Sequence, residues 1–396
     1  MRKSYHLWLA SLTLLFLSGG TCAVGVEDGF SATVDNGTAR ALAVQGDGKI
    51  LVGGGFTSIN GQPREKIARV HANGSFDASF VGALVESTGS AQVLATAVQV
   101  DGKILIAGFF SQVGGLPRKG IARLNPDGSL DASYNPVLDG NGVGRVLNLQ
   151  PDGKLIIGGS FSSVSGFARA NLARLNSDGS VDTSYAAGVG GISSVESAAL
   201  QPDGRLIVTG GNNGAMFIRL NPDGSPDATF QATSGGYVFG LAIQPDGKIF
   251  AAGEESFRRI NADGSDDLSF VANLDSDVNA IALQSDGKII ASGSFTMANG
   301  QVRNGIARFD TSGNLDATYD PDVQTSVSAS ALQADGKLVV AGGFSNIGGH
   351  PAFRIARLNI DGSVDATLNP GTNSTVNALA QQANGKLLVG GAFTSL

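Results

Sequence analysis

Residues 121–131 read Ile121-Ala122-Arg123-Leu124-Asn125-Pro126-Asp127-Gly128-Ser129-Leu130-Asp131, and the reading of this run decides the fold. Pro126-Asp127-Gly128 after Asn125 matches a type I turn closed by a Gly in a bulge, the favoured three-residue hairpin loop. With that loop, Asn125 faces Ser129, Leu124 faces Leu130 and Arg123 faces Asp131. Gln150-Pro151-Asp152-Gly153 carries the same device. Two tight hairpins are therefore predicted in succession, strands a and b around the Gln turn and strands c and d around the Asn turn.

Both turns recur along the chain. Gln-x-Asp-Gly-Lys begins at Gln45, Gln99, Gln150, Gln244, Gln284 and Gln333; Gln201 carries Arg205 for Lys, and Gln382 carries Asn384 for Asp. The apolar-Ala-Arg-apolar signature centres on Arg69, Arg123, Arg174, Arg219, Arg259, Arg308 and Arg357, with Ile218 and Arg258 replacing Ala in two copies. Hairpin geometry sets each Arg opposite the Asp eight residues on: Arg69 with Asp77, Arg123 with Asp131, Arg174 with Asp182, Arg219 with Asp227, Arg259 with Asp267, Arg308 with Asp316, and Arg357 with Asp365. An exposed pair of this kind contributes roughly 0.2–1 kcal/mol and chiefly fixes register.

Four antiparallel strands every 40–54 residues, repeated about eight times, predict an all-β fold, a β-propeller of four-stranded blades. The 57 Gly and a charged fraction of only 15% agree with many short strands and tight turns. Residues 196–211 and 121–131 resemble the bacterial delta-60 repeat β-propellers, whose units read like Ala-Leu-Gln-Pro-Asp-Gly-Lys-Ile-Leu-Val-Gly-Gly and Ile-Ala-Arg-Leu-Asn-Pro-Asp-Gly-Ser. The resemblance covers nearly all of the chain after its first residues, and departs in repeats four and five and at the unfinished end. It implies a propeller and an envelope or extracellular location, and no activity.

The chain starts with Arg2 and Lys3, an apolar run from Leu7 to Leu17, and a small, polar segment from Ser18 to Ala23. This predicts a signal peptide over 1–23 and export of a single propeller domain over 24–396. The apolar run is too short for a permanent transmembrane helix, and none is expected later. A lipoprotein anchored through Cys22 is the disfavoured alternative, because Gly19-Gly20-Thr21 lacks the usual Leu three positions before the Cys. Cleavage would leave no Cys and only His71 and His350 as imidazoles, so disulfides, Cys nucleophiles and a His-rich metal site are not expected. The net charge of -7 speaks against a nucleic-acid partner.

Seven repeats are complete; the eighth has strands near Val376–Gln381 and Lys386–Phe393. Residues 28–34 stand where a strand d would precede the first repeat. Eight blades closed by that N-terminal strand is the favoured count, with the chain ending before its last strand c. Seven blades with a spare hairpin is the alternative.

Function is expected on the face carrying the b–c and d–a loops, since the Asp-Gly turns of the other face are uniform. From the turn Asp to the first apolar residue of strand c is 20 residues in repeats 1, 2, 3, 6 and 7, but 14 in repeat 4 and 11 in repeat 5. The short loops predict a notch in the rim. Arg64, Arg118, Arg169 and Arg303 precede strand c in four long loops, a possible crescent for an anionic glycan or carboxylate; ordinary solvated or loop-pairing Arg is the bland reading. Glu254 and Glu255 in the shortest loop are a second candidate, weakened because adjacent strand residues point to opposite sides. The Asn125–Asp131 run resembles a calcium loop only in part, since it lacks the bidentate Glu and its Asp residues are explained by the turn and by Arg123. The paired glycines Gly53-Gly54, Gly158-Gly159 and Gly342-Gly343 are read as close packing between blades.

The expected function is an exported binding or structural module that engages a glycan or protein, with no cofactor. The competing classes are a polysaccharide lyase or hydrolase with a central-pocket site, and a passive spacer for another domain. A catalytic site should place one-off polar residues on the axis from strand a; strand a reads as apolar and repetitive, which favours binding.

Overall fold

Apolar residues alternating with small ones before each Gln turn form strand a, and the apolar run after it forms strand b. In the third repeat Val143–Leu149 pairs with Leu155–Ser160, Leu149 opposite Leu155, and strand c, Leu172–Leu175, pairs on the far side of strand b. Gln150 N–H donates to Lys154 O and Gly153 N–H to Gln150 O, with Gly153 at φ +81. This is the three-residue hairpin with its Gly in the left-handed region.

The computed structural model describes residues 34–35, 39–71, 75–83, 85–87, 91–211, 216–230, 238–254, 256–333, 335–352, 354–366, 376–381 and 387–391. The leader expected over 1–23, residues 28–33 of the expected closing strand, and Glu255 lie outside them. Val34, with Asp35, pairs with Ser58–Ile59. No described helix is long and apolar enough to cross a membrane.

Among the described residues strands a and b recur eight times, the last as Val376–Gln381 with Leu387–Gly391. Strand a of each blade packs on strand a of the next, and that of the eighth packs on Ala39–Val44 of the first. The chain is thus an eight-hairpin ring closed on itself. Strand d is shorter than expected: in each of seven blades it makes a single bridge, such as Leu124 with Leu130. The next residue explains why. Asp131 Oδ1 accepts from the Ser133 N–H and hydroxyl, and Tyr134 N–H donates to Asp131 O, so the chain turns away from the sheet.

The core lies between blades. One cluster joins Leu105 and Ile121 of blade 2 to Leu155, Ile157 and Leu175 of blade 3, and similar clusters join the other successive neighbours from blade 1 to blade 7. A Cβ on Gly53 or Gly158 would come within 2.7 or 2.6 Å of a Val methyl on the next blade's strand a, the close approach read from the glycine pairs. Their successor Gly159 meets strand a of its own blade instead: a Cβ there would lie 2.1 Å from Val143 O.

Candidate functional site

On the face of the uniform turns, the seven strand-c arginines meet their strand-d aspartates. Arg69 Nε donates to Asp77 Oδ2 at 2.7 Å, Arg123 to Asp131 at 2.9 Å, Arg174 to Asp182 at 2.8 Å and Arg219 to Asp227 at 2.8 Å. Arg259 to Asp267 is 2.7 Å, Arg308 to Asp316 3.1 Å and Arg357 to Asp365 2.8 Å. These pairs are largely buried, where an exposed surface pair was the reference. Each carboxylate also takes the cation of the Gln-x-Asp-Gly-Lys turn, as Lys103 does for Asp131 at 3.0 Å and Lys337 for Asp365 at 2.7 Å; Arg205 stands in at 3.5 Å from Asp227. The two repeat motifs therefore converge on one carboxylate. The signal was present in the sequence, because the turn position is always basic when its Asp partner follows.

In six of the seven the guanidinium also lies over the aromatic ring three residues past the Asp, as Arg123 over Tyr134 at 4.3 Å and Arg308 over Tyr319 at 4.1 Å. Its Nη1 then donates to a turn carbonyl of the next blade: Arg69 to Pro126, Arg123 to Ser177, Arg174 to Pro222, Arg219 to Ala262, Arg259 to Thr311 and Arg308 to Ile360. The Thr229 hydroxyl, with burial opposing and the Thr229 N–H and Arg219 assisting, holds Asp227 at about 2. Asp131 is held lower still: burial would raise it, but Ser133, Lys103 and Arg123 outweigh that. The Arg, Asp and turn cations here bind one another and the neighbouring blade's turn, which makes this face a structural belt.

The opposite face is built differently. Each long b–c loop folds into a two-residue hairpin with both turn residues at positive φ: Asn60-Gly61, Gly114-Gly115, Ser165-Gly166, Asn299-Gly300 and Gly348-Gly349. These are type I′ turns, and Asn-Gly is their strongest sequence signal. A buried Phe roots each hairpin, Phe56, Phe110, Phe161, Phe295 and Phe344. The loop arginines brace them. Arg64, Arg118, Arg169 and Arg303 each donate to the carbonyl of the preceding residue and to one beyond strand c, at Phe80, Ala132, Thr183 and Ala317. Arg118 and Arg303 are buried, and Arg303 also contacts Asp320 at 3.2 Å. The four do not gather into one cluster; each serves its own loop. Blade 5 has only a tight turn, with Gly253 opposite Ser256 and Glu254 exposed, so the rim is low there.

What varies on this face is the hairpin tip. At one equivalent position stand Gln62, Leu116, Phe167, Gln301 and His350, all exposed. Sequence reasoning passed over them because it followed charge.

The second variable set lies at the axis. Strand a of every blade carries a β-bulge at one place, between Ala39 and Ala41, Val93 and Ala95, Gly144 and Val146, Val195 and Ser197, and so around the ring. Bulges re-aim a side chain, and the residue opposite is the glycine ending strand b. The bulged residues are Arg40, Leu94, Arg145, Glu196, Phe239, Asn279, Ser328 and Asn377, each five positions before its Gln. This is the expectation that the structure corrects: strand a is repetitive except at the one position that the bulge turns out of register. Arg145 Nε lies 3.6 Å from Glu196 Oε1 on the next blade, and Asn279 Nδ2 donates to Val327 O, 2.8 Å, on the next. Burial first, and the Arg145 charge second, lower the Arg40 guanidinium below its usual range. Arg40 and Arg145 stand at the same bulge position of blades 1 and 3, with Leu94 at that position in the blade between them.

Among the described residues no group of three or more His, Cys, Asp or Glu is placed to hold a metal. The sequence pattern of a β-propeller family described only as a domain of unknown function, DUF5122, matches residues 45–80, 99–134, 150–185, 201–230, 244–270, 284–319 and 333–368. No curated protein sequence matches. Among solved structures, the computationally designed Ika8 protein is similar at TM-score 0.57 and 10% identity, covering 91% of this chain and 98% of that one. The C-terminal WD40 domain of Sif2 is similar at TM-score 0.55 and 12% identity, covering 93% and 99%. An extracellular domain of a hybrid two-component system from B. thetaiotaomicron aligns at TM-score 0.48 and 14% identity, over 93% of this chain and 51% of that one. At such identities the likeness is one of fold. Seven matched repeats spread over more than half of the sequence, six of them ending at the aromatic beside the Arg–Asp pair, show that the chain belongs to the DUF5122 β-propeller family.

Proposed function

We propose that this propeller is an exported binding module of the bacterial envelope or extracellular space, of the delta-60 repeat kind, which engages a glycan or protein through its loop face. One observation carries the reading. Five hairpins have the same I′ turn, the same buried Phe and, in four, the same Arg brace, yet the exposed residue at the tip varies: Gln in two, then Leu, Phe and His. Constant support under varied exposed side chains is how a scaffold presents a recognition surface. The low rim at blade 5 gives such a partner a way in toward the axis. The leader and the acidic charge fit an exported protein.

The test compares two double variants on a glycan array and on a panel of purified envelope proteins. Leu116→Ser with Phe167→Ser alters two tips, and Val100→Ser with Ile360→Ser alters two exposed apolar residues of the uniform-turn face. Partner binding is expected to fall in the first and persist in the second. Loss in the second with retention in the first would move the site to the other face and end this reading.

A further inference from the structure

Blades 1 and 2 leave a cleft of about 450 Å³ between them on the loop face, within the ~300–1,000 Å³ of small-ligand sites. One wall lacks a side chain. Gly55 stands before the buried Phe of blade 1, where blades 2, 3 and 6 carry Phe109, Ser160 and Ser294. Its φ lies outside the left-handed region, and a Cβ there would rest 3.5 Å from Gln92 Cγ of blade 2, so neither backbone nor clash demands a glycine. What the glycine provides is space. The lining is otherwise mostly polar. Blade 1 supplies Glu65 and Lys66, 3.8 Å apart, and blade 2 supplies Gln92 and Gln112. Gln112 pairs directly with Glu86 of the d–a segment, which sets the two side chains on one face with their Cβ atoms roughly 5 Å apart. Ser111 N–H fixes that pair by donating to Glu86 O at 2.9 Å. Lys66 Nζ donates to Phe56 O at 3.2 Å, which ties the ammonium to the residue after Gly55.

From this juxtaposition we infer that the cleft between blades 1 and 2 binds a neutral sugar residue of a glycan, its hydroxyls shared among Glu65, Glu86, Gln92 and Gln112. The inference rests on the loop-face reading above and adds the place and the ligand chemistry. A hydroxyl both donates and accepts, so a ring of them satisfies carboxylates that only accept, an ammonium that only donates and amides that do both. Two carboxylates against one ammonium leave the wall negative. A uronate or an acidic peptide would bring a like charge to Glu65 and Glu86, and a cationic ligand would meet Lys66. An apolar anchor would find Val85 and Ala91, both already buried.

Titration calorimetry with neutral tetramers of glucose, mannose, galactose and N-acetylglucosamine, beside tetramers of galacturonate and glucosamine and a tetraglutamate peptide, tests this. At least one neutral tetramer is expected to bind in preference to the charged probes. Gly55→Phe, which gives blade 1 the side chain that blade 2 already carries, should weaken it roughly tenfold or more. Glu86→Gln, which removes a charged acceptor and keeps the shape, should weaken it severalfold. Gly343→Phe makes the first exchange in blade 7, where the nearest atom to a Cβ lies at 3.5 Å, and should leave binding unchanged. Melting curves of the three variants should overlay the parent within a few degrees. Binding unchanged by Gly55→Phe and Glu86→Gln but abolished by the Leu116/Phe167 tip variant would overturn the cleft and leave the loop-face reading standing. An equal loss in Gly343→Phe would also overturn the cleft. Binding of a charged probe as tightly as any neutral tetramer would overturn the neutral-sugar assignment, and binding of no neutral tetramer would overturn the inference whether or not a protein partner is found on the loop face.

Discussion

Asp131 shows how much one side chain can organise. Its Oδ2 takes Arg123 and Lys103, its Oδ1 takes Ser133, and its backbone sets the turn that ends strand d. Replacing it by Asn leaves a buried guanidinium with a neutral partner, a loss of about 3 kcal/mol, read as a lower urea midpoint. Asp152→Asn, in an exposed turn, should move the midpoint far less. The seven clamp carboxyls also set an acid limit. Unfolded Asp titrates near pH ~3.9, whereas Asp227 is held at about 2 and Asp77, Asp131, Asp182, Asp267 and Asp316 lower. Below about pH 5 the unfolded chain therefore binds more protons than the folded one. Stability should be level from neutral pH to about 5 and fall steadily toward pH 2. A melting temperature independent of pH across that window would contradict the clamp.

At the scale of elements, the b–c hairpin and the strand-a bulge divide the labour. The hairpin is a small rigid sheet rooted by Phe and braced by Arg; the bulge sets one residue of strand a out of register in each blade, opposite the glycine that ends strand b. Gly159→Ala would push a Cβ to 2.1 Å from Val143 O. The expected cost exceeds 2 kcal/mol, in the range of overpacked cores. Gly153→Ala has only its left-handed φ against it, since nothing lies within 4 Å, and should cost about 1 kcal/mol. Equal destabilisation of the two would mean that the bulge yields. Sequence reasoning reached the Asn-Pro-Asp-Gly hairpin and its register because that turn has one favoured geometry. It treated the b–c segments as loops although Asn60-Gly61 and Asn299-Gly300 signal I′ turns. It placed binding on Arg64, Arg118, Arg169 and Arg303, whose hydrogen bonds go to nearby carbonyls. The bulge was hidden because an extra residue in strand a breaks alternation by one place, which reads as noise until eight copies are laid in register on their Gln.

For the whole molecule, the interblade arginine contacts and the shared cores make each blade depend on its neighbours, and the ring depends on its first and last hairpins meeting. The repeat spacing reveals the blades, but not which edges touch, since contact between Ala39–Val44 and Val376–Gln381 has no local signature. The most direct check is hydrogen exchange, followed by mass spectrometry, of peptides spanning 376–391 beside those spanning 327–342 in the chain from Val24 onward. An isolated two-stranded hairpin is barely stable in water, whereas a hairpin packed into a ring shares the stability of the ring. The closed eight-blade ring predicts slow exchange of the two segments at similar rates. Exchange of 376–391 at the rate of an unstructured peptide, while 327–342 stays protected, would contradict it.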